Sequence, residues 1–310
     1  MKALAATGDR TLVRFAETPE PTAAADAVIV QVEAFSVNRG EILAMTGAYG
    51  APTAPGTVMG QDVAGRVITA AADGSGPAVG TRVVGHAEGG GWAERVAVPT
   101  AALAELPDTL TATTAAALPL AGLTALRLLR HVEAPAGKQA LITGASGGVG
   151  HYLVELATAA GISVTAVAAS PERGARLGEL GAQAVVHDVA DADGPFDVIF
   201  ESVGGDVFAA ALARIAPGGT VLWFGQASLQ PIRLSFFEYL TVSPFTLRHF
   251  PHWVADTTDA EDLRVLVGLT ATDRLHPELG RVADWAETAS VLTDLNNRRI
   301  RGNAILTIDA

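Results

Sequence analysis

The sequence contains no cysteine, few charged residues and few aromatic ones. Among its 310 residues, 17% are charged and 5% are aromatic. The absence of cysteine excludes disulfide bonds and zinc sites with thiolate ligands, and it is typical of a reducing compartment. No uninterrupted apolar run reaches the roughly 18 residues that a membrane helix needs. The N-terminal "MKALAATGDRTLVRF" carries charges where a signal peptide needs an apolar core. We therefore expect a cytoplasmic protein with no membrane partner.

Basic residues are also scarce. The chain has 21 Lys and Arg against 33 Asp and Glu, which gives a net charge of −12, and the basic residues form no run. We expect no nucleic-acid partner, because phosphate binding needs clustered positive charge. The hydrophobic fraction of 49% is enough for a large buried core, and the length is typical of two domains.

The hydrophobic pattern changes along the chain. Up to about residue 110, short alternating segments such as "AVIVQVEAF" and "ERVAVP" are separated by Gly and Pro, which predicts a β-rich domain. From about residue 115, apolar strands such as "QALIT" and "FDVIFESV" alternate with helical patterns such as "HYLVELATAAG" and "PERGARLGELG". This alternation predicts an α/β domain with a doubly wound parallel sheet covered by helices.

A glycine-rich turn, "TGASGGVG" at residues 143–150, lies between a predicted strand and a predicted helix. In that context glycine permits a tight turn, a close approach to a pyrophosphate and close packing of the helix on the sheet. The strand–turn–helix setting favours a dinucleotide site over a turn that merely needs glycine. The predicted cofactor contacts here are Ala145, Ser146, Gly147, Gly148, Val149 and Gly150.

The end of the next predicted strand indicates which dinucleotide binds. Sites for NAD usually have Asp or Glu there, whereas "VTAVAASPER" has Ala169 and Ser170. Ser170 and Arg173 offer a hydrogen-bond donor and a positive charge to a 2′-phosphate, and Arg176 follows one turn later. The sequence therefore predicts NADPH. The alternative is that these arginines only form a solvated helix face, with Glu172 among them.

Several motifs together resemble the medium-chain dehydrogenase/reductase superfamily, in its zinc-free quinone oxidoreductase branch, which includes zeta-crystallin-like and enoyl reductases. They are "SVNRGEILAMTGAYGAP", "MGQDVAGRV", "LPLAGLTAL", "GASGGVG" and "GGTVLWFG", and they span nearly the whole chain. The resemblance implies a GroES-like catalytic domain formed by residues 1–117 and 248–310. It also implies an inserted Rossmann domain at 118–247.

The resemblance also implies that no metal is bound. At positions where the zinc-dependent alcohol dehydrogenases of this superfamily keep their catalytic ligands, this chain has Asn38, Gln61 with Asp62, and about Leu120. A catalytic zinc ion needs protein ligands of N, S or carboxylate type. Without such a Lewis acid, reduction of an electron-poor conjugated acceptor is more natural than oxidation of a simple alcohol.

Two residues are implied by the resemblance as catalytic. Tyr49 matches an active-site tyrosine of the family, and its phenol, protonated at neutral pH, is suited to donate to a carbonyl oxygen. Asn38 matches an asparagine near the nicotinamide that orients substrate or ribose. The family commonly has Pro and Asp where this chain has Arg39 and Glu41.

Further cofactor contacts carry over from the family by position. Near the C-terminus the family commonly has Gly-Lys where this chain has Gly302 and Asn303, with Arg301 before them. The implied contacts are Thr124, His187, Phe224, Gly225 and Asn303.

The segment "SFFEYLTVSPFTLRHFPHW" is rich in aromatic residues and histidine. In the family the strand at "PFTLRHF" pairs with its counterpart in a second subunit, so we expect a homodimer. His249, His252 and Trp253 are interpreted as part of a substrate pocket or of this dimer contact. No third ligand lies near the two histidines in sequence, and we do not predict a metal site.

The sequence thus predicts a zinc-independent, NADPH-dependent oxidoreductase that reduces a quinone or another α,β-unsaturated carbonyl. One alternative is an enoyl reductase that acts on a polyketide-type biosynthetic intermediate. The other is a non-catalytic NADPH-binding partner protein. Turnover of NADPH with a panel of quinones and enones distinguishes a non-catalytic NADPH-binding protein from the two enzymes.

Overall fold

A computed structural model describes residues 1–239 and 244–308. It divides the chain into two units, one formed by Met1–Leu123 with Thr257–Ala310 and the other by Thr124–Asp256. The boundaries predicted from the sequence, before residues 118 and 248, lie six and nine residues earlier.

Strands and helices follow the chain in the order that the hydrophobic pattern predicts, short strands first and alternating strands and helices afterwards. The strands are β1 (Lys2–Ala6), β2 (Val13–Glu17), β3 (Ala27–Val37), β4 (Asp62–Thr69), β5 (Arg82–His86), β6 (Arg95–Pro99), β7 (Leu103–Glu105), β8 (Gln139–Ile142), β9 (Ser163–Val167), β10 (Ala184–Val186), β11 (Phe196–Glu201), β12 (Ile215–Trp223), β13 (Thr246–His249), β14 (Leu279–Asp284) and β15 (Asn303–Thr307). The helices are α1 (Arg39–Met45), α2 (Ala112–Ala116), α3 (Pro119–Arg130), α4 (Gly148–Ala159), α5 (Pro171–Gly174), α6 (Gly205–Leu212), α7 (Asp259–Ala271) and α8 (Thr288–Asn296).

The first unit is built around a mixed sheet in the order β14-β15-β3-β4-β5-β7, with β6 also paired to β3. Strand β15 comes from the C-terminal end of the chain and pairs antiparallel with β3 from the N-terminal part. Both ends of the chain therefore contribute strands to one sheet. Its core includes Phe35 and Trp92, which are fully buried and whose rings stack with centroids 6.0 Å apart.

The second unit contains a parallel sheet in the order β10-β9-β8-β11-β12-β13. Numbered within this unit, that order is 3-2-1-4-5-6, the order of a Rossmann fold, so the predicted doubly wound sheet is confirmed. The strand order reverses between β8 and β11. Ligands of open α/β sheets bind at the carboxyl ends of the strands at such a reversal.

One predicted helix is shorter than its pattern suggested. The segment "PERGARLGELG" forms a helix only over Pro171–Gly174 and continues as turns. Gly174 lies so close to the sheet that a Cβ atom there would be 2.8 Å from Cγ1 of Val185. Gly178 then lowers the helix propensity of the segment further. Strand β14 was not predicted either.

The longest described helix, α7, has 13 residues. Within residues 1–239 and 244–308, no helix combines the length and the apolar character that crossing a membrane would require.

Candidate functional site

The glycine-rich turn lies at the carboxyl end of β8, where the strand order reverses. Gly144 has φ of +62°, a left-handed conformation that favours glycine. A Cβ atom on Gly150 would lie 2.4 Å from the carbonyl oxygen of Ala145, so no larger residue fits without moving the turn. Helix α4 begins at Gly148, and its first N–H groups have no partner within the helix. These N–H groups and the positive end of the helix suit an anionic group such as a pyrophosphate.

Three predicted cofactor residues come together beside this turn. Ser170 caps the N-terminus of α5, and its hydroxyl oxygen accepts a hydrogen bond from the backbone N–H of Arg173 at 3.4 Å. The guanidinium of Arg173 reaches back to the turn, where its Nε donates to Oγ of Ser146 at 3.0 Å. Glu172 lies on the same helix, and its pKa is lowered chiefly by a hydrogen bond from the Ser170 hydroxyl. The positive charge of Arg173 therefore lies on the glycine-rich turn, with the exposed carboxylate of Glu172 nearby.

His187 follows β10 and is held by its backbone neighbour. Its Nδ1 lies 2.9 Å from the carbonyl oxygen of Ala168. Because a carbonyl can only accept, Nδ1 carries the hydrogen and Nε2 is left for other contacts. Gly174 packs against the same ring, since a Cβ there would lie 3.9 Å from Cε1 of His187.

Glu201, at the end of β11, is a buried carboxylate that was not predicted as a site residue. Its Oε1 accepts from the hydroxyl of Thr143 at 3.1 Å and from the backbone N–H groups of Val203 at 2.8 Å and Gly204 at 3.0 Å. Burial raises its pKa, and these hydrogen bonds oppose the shift. The side chain braces the loop after β11 beneath the glycine-rich turn. The available signal was an acidic residue directly after the apolar run "VIF" of β11.

Phe224 and Gly225 directly follow β12. The backbone N–H of Phe224 donates to the carbonyl oxygen of Glu201 at 2.9 Å. Gly225 lies against the neighbouring loop, where a Cβ atom would be 3.1 Å from the carbonyl oxygen of Ser202. Both therefore lie at the same carboxyl edge of the sheet as the glycine-rich turn.

Thr124 and Asn303 are placed differently. Thr124 is buried within α3, with 7% of its surface exposed. Asn303 belongs to the first unit and begins β15, where its Nδ2 donates to the carbonyl oxygen of Glu278 at 3.2 Å. Arg301 forms an ion pair with the carboxylate of the same Glu278 at 2.6 Å. The structure thus gives Asn303 and Arg301 bonds within the fold, and their contact with the cofactor stays a prediction.

The aromatic segment near residue 250 flanks the edge strand β13. The ring of His249 lies 5.6 Å from that of Trp223, and the backbone carbonyl of His252 accepts from Arg127 at 3.0 Å. Trp253 is 73% exposed. Part of the predicted segment, residues 240–243, lies outside the described residues.

Asn38 and Asp62 form the centre of a buried polar cluster in the first unit. Oδ2 of Asp62 accepts from the hydroxyl of Ser36 at 2.6 Å and from Nδ2 of Asn38 at 2.7 Å. Its Oδ1 accepts from the backbone N–H of Leu120 at 3.0 Å, in the first turn of α3. The structure therefore brings together three positions that the family resemblance had grouped, and a carboxylate joins them by hydrogen bonds.

The end of β3 is fixed by the core directly before Asn38. The indole Nε1 of Trp92, which is fully buried, donates to the backbone carbonyl of Ser36 at 2.9 Å. Gly60, with φ of +102°, allows this packing, because a Cβ there would lie 2.3 Å from the indole ring. The polar cluster thus packs against buried residues of the apolar core.

Glu41 occupies the first turn of α1 and is 4% exposed. Its Oε2 accepts from the backbone N–H of Asn38 at 2.7 Å. Burial raises the pKa of this carboxyl well above its ordinary value, and the neighbouring charge of Asp62 raises it further. Burial thus favours the protonated form of Glu41, and its Oε2 fixes the backbone of Asn38.

Tyr49 lies at the same end of α1. A Cβ atom on Gly40 would be 3.6 Å from its hydroxyl, and 70% of the residue is exposed. Partial desolvation raises the pKa of the phenol, and the charge of Arg39 opposes that shift. The phenol is thus protonated at neutral pH and accessible to a ligand.

Known proteins resemble both units. The chain matches the family described as alcohol dehydrogenase GroES-like domain over residues 24–108, and the family described as zinc-binding dehydrogenase over residues 148–257. It is 30% identical over 299 residues to a quinone oxidoreductase of Pseudomonas aeruginosa, covering 90% of each chain. The chain belongs to the quinone oxidoreductase family. This family lies within the medium-chain dehydrogenase/reductase superfamily, so the resemblance inferred from the motifs is confirmed.

A solved structure and a larger enzyme extend this comparison. The mycobacterial protein Rv1454c, solved in complex with NADPH, has a TM-score of 0.89 and 26% identity, with 99% of this chain and 100% of that chain covered. A mycocerosic acid synthase-like polyketide synthase of Mycobacterium tuberculosis is 29% identical over 235 residues, which are 72% of this chain and 11% of that enzyme. The quinone oxidoreductase fold therefore also has a relative within a multidomain synthase.

Proposed function

We propose that this member of the quinone oxidoreductase family uses NADPH to reduce quinones or other α,β-unsaturated carbonyl compounds, without a zinc ion. The proposal rests chiefly on Arg173, whose guanidinium reaches the glycine-rich turn through a 3.0 Å hydrogen bond to Ser146. A guanidinium at that place suits the extra phosphate that distinguishes NADPH from NADH. The NADPH complex of the mycobacterial relative supports the same choice.

The residues of the second unit fit this cofactor. The turn at residues 143–150 leaves no room for a Cβ at Gly150, and it ends in the N-terminus of α4, where backbone N–H groups would hold the pyrophosphate. Ser170, Arg173 and His187 would hold the adenosine end, and Thr124, Phe224 and Gly225 would hold the nicotinamide end. Bound NADPH supplies a hydride to an electron-poor carbon.

Tyr49 is the proposed donor to the substrate. As the acceptor is reduced, negative charge develops on its carbonyl oxygen, and a protonated phenol stabilises that charge by a hydrogen bond or transfers the proton. The exposed, protonated Tyr49 hydroxyl satisfies the requirement for access and protonation state. Asn38 would orient the reacting groups from its fixed position at the start of α1.

The polar cluster does not fit a catalytic zinc ion. Both oxygens of Asp62 accept hydrogen bonds, Asn38 turns its NH₂ group toward that carboxylate, and Leu120 contributes only its backbone N–H. Among the described residues, no three His, Cys, Asp or Glu side chains lie close enough together to hold a metal ion. Zinc therefore takes no part in the proposed reaction. Elemental analysis of washed, active protein should find no stoichiometric zinc, and one zinc per chain would contradict this part of the proposal.

The substrate class is tested by NADPH oxidation with a panel of quinones, enones and enoyl thioesters. Turnover with quinones or enones is the expected result. Preference for enoyl thioesters would favour the alternative suggested by the polyketide synthase relative, an enoyl reductase of a biosynthetic intermediate. Tight NADPH binding with no turnover on any acceptor would instead indicate a non-catalytic NADPH-binding partner protein.

We also propose that the protein is a homodimer joined through β13. This strand is the last in the order of the described parallel sheet, and an open strand edge favours pairing with another strand. Light scattering should therefore give twice the chain mass of 31.7 kDa, and a mass of one chain would contradict the pairing.

A further inference from the structure

The geometry of the polar cluster fixes the orientation of the Asn38 amide. Oγ of Ser36 and Oδ2 of Asp62 lie 2.6 Å apart, and Nδ2 of Asn38 lies 3.0 Å and 2.7 Å from them. Three atoms at such distances form a nearly equilateral triangle. The two hydrogens of an NH₂ group point about 120° apart, so one hydrogen serves both oxygens and the other points away from them. The amide therefore keeps one N–H for other contacts.

We propose that Asp62 is a positioning residue of the reaction proposed above, because its carboxylate holds the Asn38 amide in the single orientation that places the NH₂ group toward Asp62. Both Asp62 oxygens act as acceptors, from Ser36 and from Leu120, so an NH₂ group fits against them and the amide oxygen of the flipped orientation does not. Asp62 is 1% exposed, which shields these bonds from competing water. The same carboxylate accepts from Leu120, so it also ties Asn38 to the first turn of α3.

The Asp62→Asn substitution should reverse the orientation of the Asn38 amide. The oxygen of the introduced amide would take the place of Oδ1 and accept from the Leu120 N–H, which can only donate. The NH₂ group of the introduced amide would then face the NH₂ group of Asn38, and two donors repel each other. The Asn38 amide would rotate by 180° to present its oxygen, which displaces the N–H that it offers to a ligand.

The kinetic test compares Asp62→Asn with Asp262→Asn. Asp262 is a fully buried aspartate of the same unit, bonded to the hydroxyl of Thr257 and outside the polar cluster. We expect Asp62→Asn to lower kcat roughly 10- to 100-fold, the loss typical of a misplaced positioning group, while Asp262→Asn stays within about threefold of the wild type. Equal kcat values for the two variants would overturn the proposal.

The second test measures stability and does not require turnover. Asn38→Asp alone apposes two carboxylates, and Asp62→Asn alone forces the Asn38 amide out of its native orientation. Asn38→Asp together with Asp62→Asn restores one donor facing one acceptor. The double variant should have a Tm at least about 3 °C above the value expected from adding the two single shifts. Additive shifts would overturn the inference about Asp62. A wild type without turnover would instead overturn the proposed function, and this cycle would still decide the role of Asp62.

Discussion

Nε of Arg173 donates a hydrogen bond to Oγ of Ser146 at 3.0 Å, which joins the helix after β9 to the glycine-rich turn after β8. This contact places a positive charge between two consecutive strand ends of the Rossmann sheet. It is the structural basis for the expected preference for NADPH over NADH.

Replacing Arg173 with Ala should weaken NADPH binding by about 1.5 to 3 kcal/mol, the range for a hydrogen bond to a charged group. NADH binding should barely change, because NADH has no 2′-phosphate. Titration calorimetry with both cofactors measures the difference, and Arg264→Ala, an exposed arginine of the other unit, is the control. Equal losses for the two cofactors would show that Arg173 serves the turn itself.

The glycine-rich turn allows a matched pair of glycine substitutions. A Cβ atom at Gly150 would lie 2.4 Å from the Ala145 carbonyl oxygen, whereas one at Gly178 would meet no atom within 4 Å. Gly150→Ala should therefore displace the turn and raise the Kd for NADPH by about tenfold or more, whereas Gly178→Ala should leave the Kd unchanged and stabilise the fold by up to about 1 kcal/mol. A Gly150→Ala variant with wild-type affinity would show that the pyrophosphate does not lie on this turn.

The sequence predicted the architecture because its main signals are local. Alternation of short strands identified the first unit, and strands alternating with helices identified the Rossmann order. The glycine-rich turn was located from its flanking elements alone. Helix α5 was overestimated because the packing of Gly174 against Val185 cannot be read from helical periodicity.

Long-range contacts explain what the sequence did not predict about the site. Asp62 lies 24 residues from Asn38 and 58 residues from Leu120 along the chain, and only the fold shows that one carboxylate bonds to both. The buried state of Glu41 likewise depends on the packing of α1. Family positions placed Asn303 near the cofactor, whereas the structure adds its bond to Glu278 within the sheet.

Removing the phenol of Tyr49 tests its catalytic role. Tyr49→Phe keeps the ring and should lower kcat by roughly 10²-fold with an enone, because the lost hydrogen bond strengthens in the transition state. The loss should be smaller with a quinone, since a reduced quinone can take its proton from water. Steady-state kinetics with both acceptors, together with the Kd for NADPH, provide the measurement. Wild-type kcat on every acceptor would remove Tyr49 from the mechanism.

Glu41 predicts a pH dependence of stability. Burial raises its pKa well above the ordinary value of 4.5, so the folded protein keeps a proton that the unfolded chain releases above that pH. The stabilising contribution of protonated Glu41 to the free energy of unfolding is fully present below pH 4.5. It is lost as the pH rises, and the free energy of unfolding then falls by up to about 1.4 kcal/mol per pH unit. Glu41→Gln keeps an acceptor for the Asn38 N–H but has no proton to lose. The Tm of Glu41→Gln relative to the wild type should therefore increase from pH 5 to pH 8, and a constant difference would mean that Glu41 is ionised in the fold.

Hydride transfer from NADPH to the acceptor can be followed with deuterium at C4 of the nicotinamide, with each of the two labelled stereoisomers used in turn. With an enone acceptor, mass spectrometry of the product should find one deuterium on the carbon that was β to the carbonyl, delivered from one of the two stereoisomers only. Formation of reduced product without deuterium from either stereoisomer, or NADPH binding with no product at all, would contradict the account.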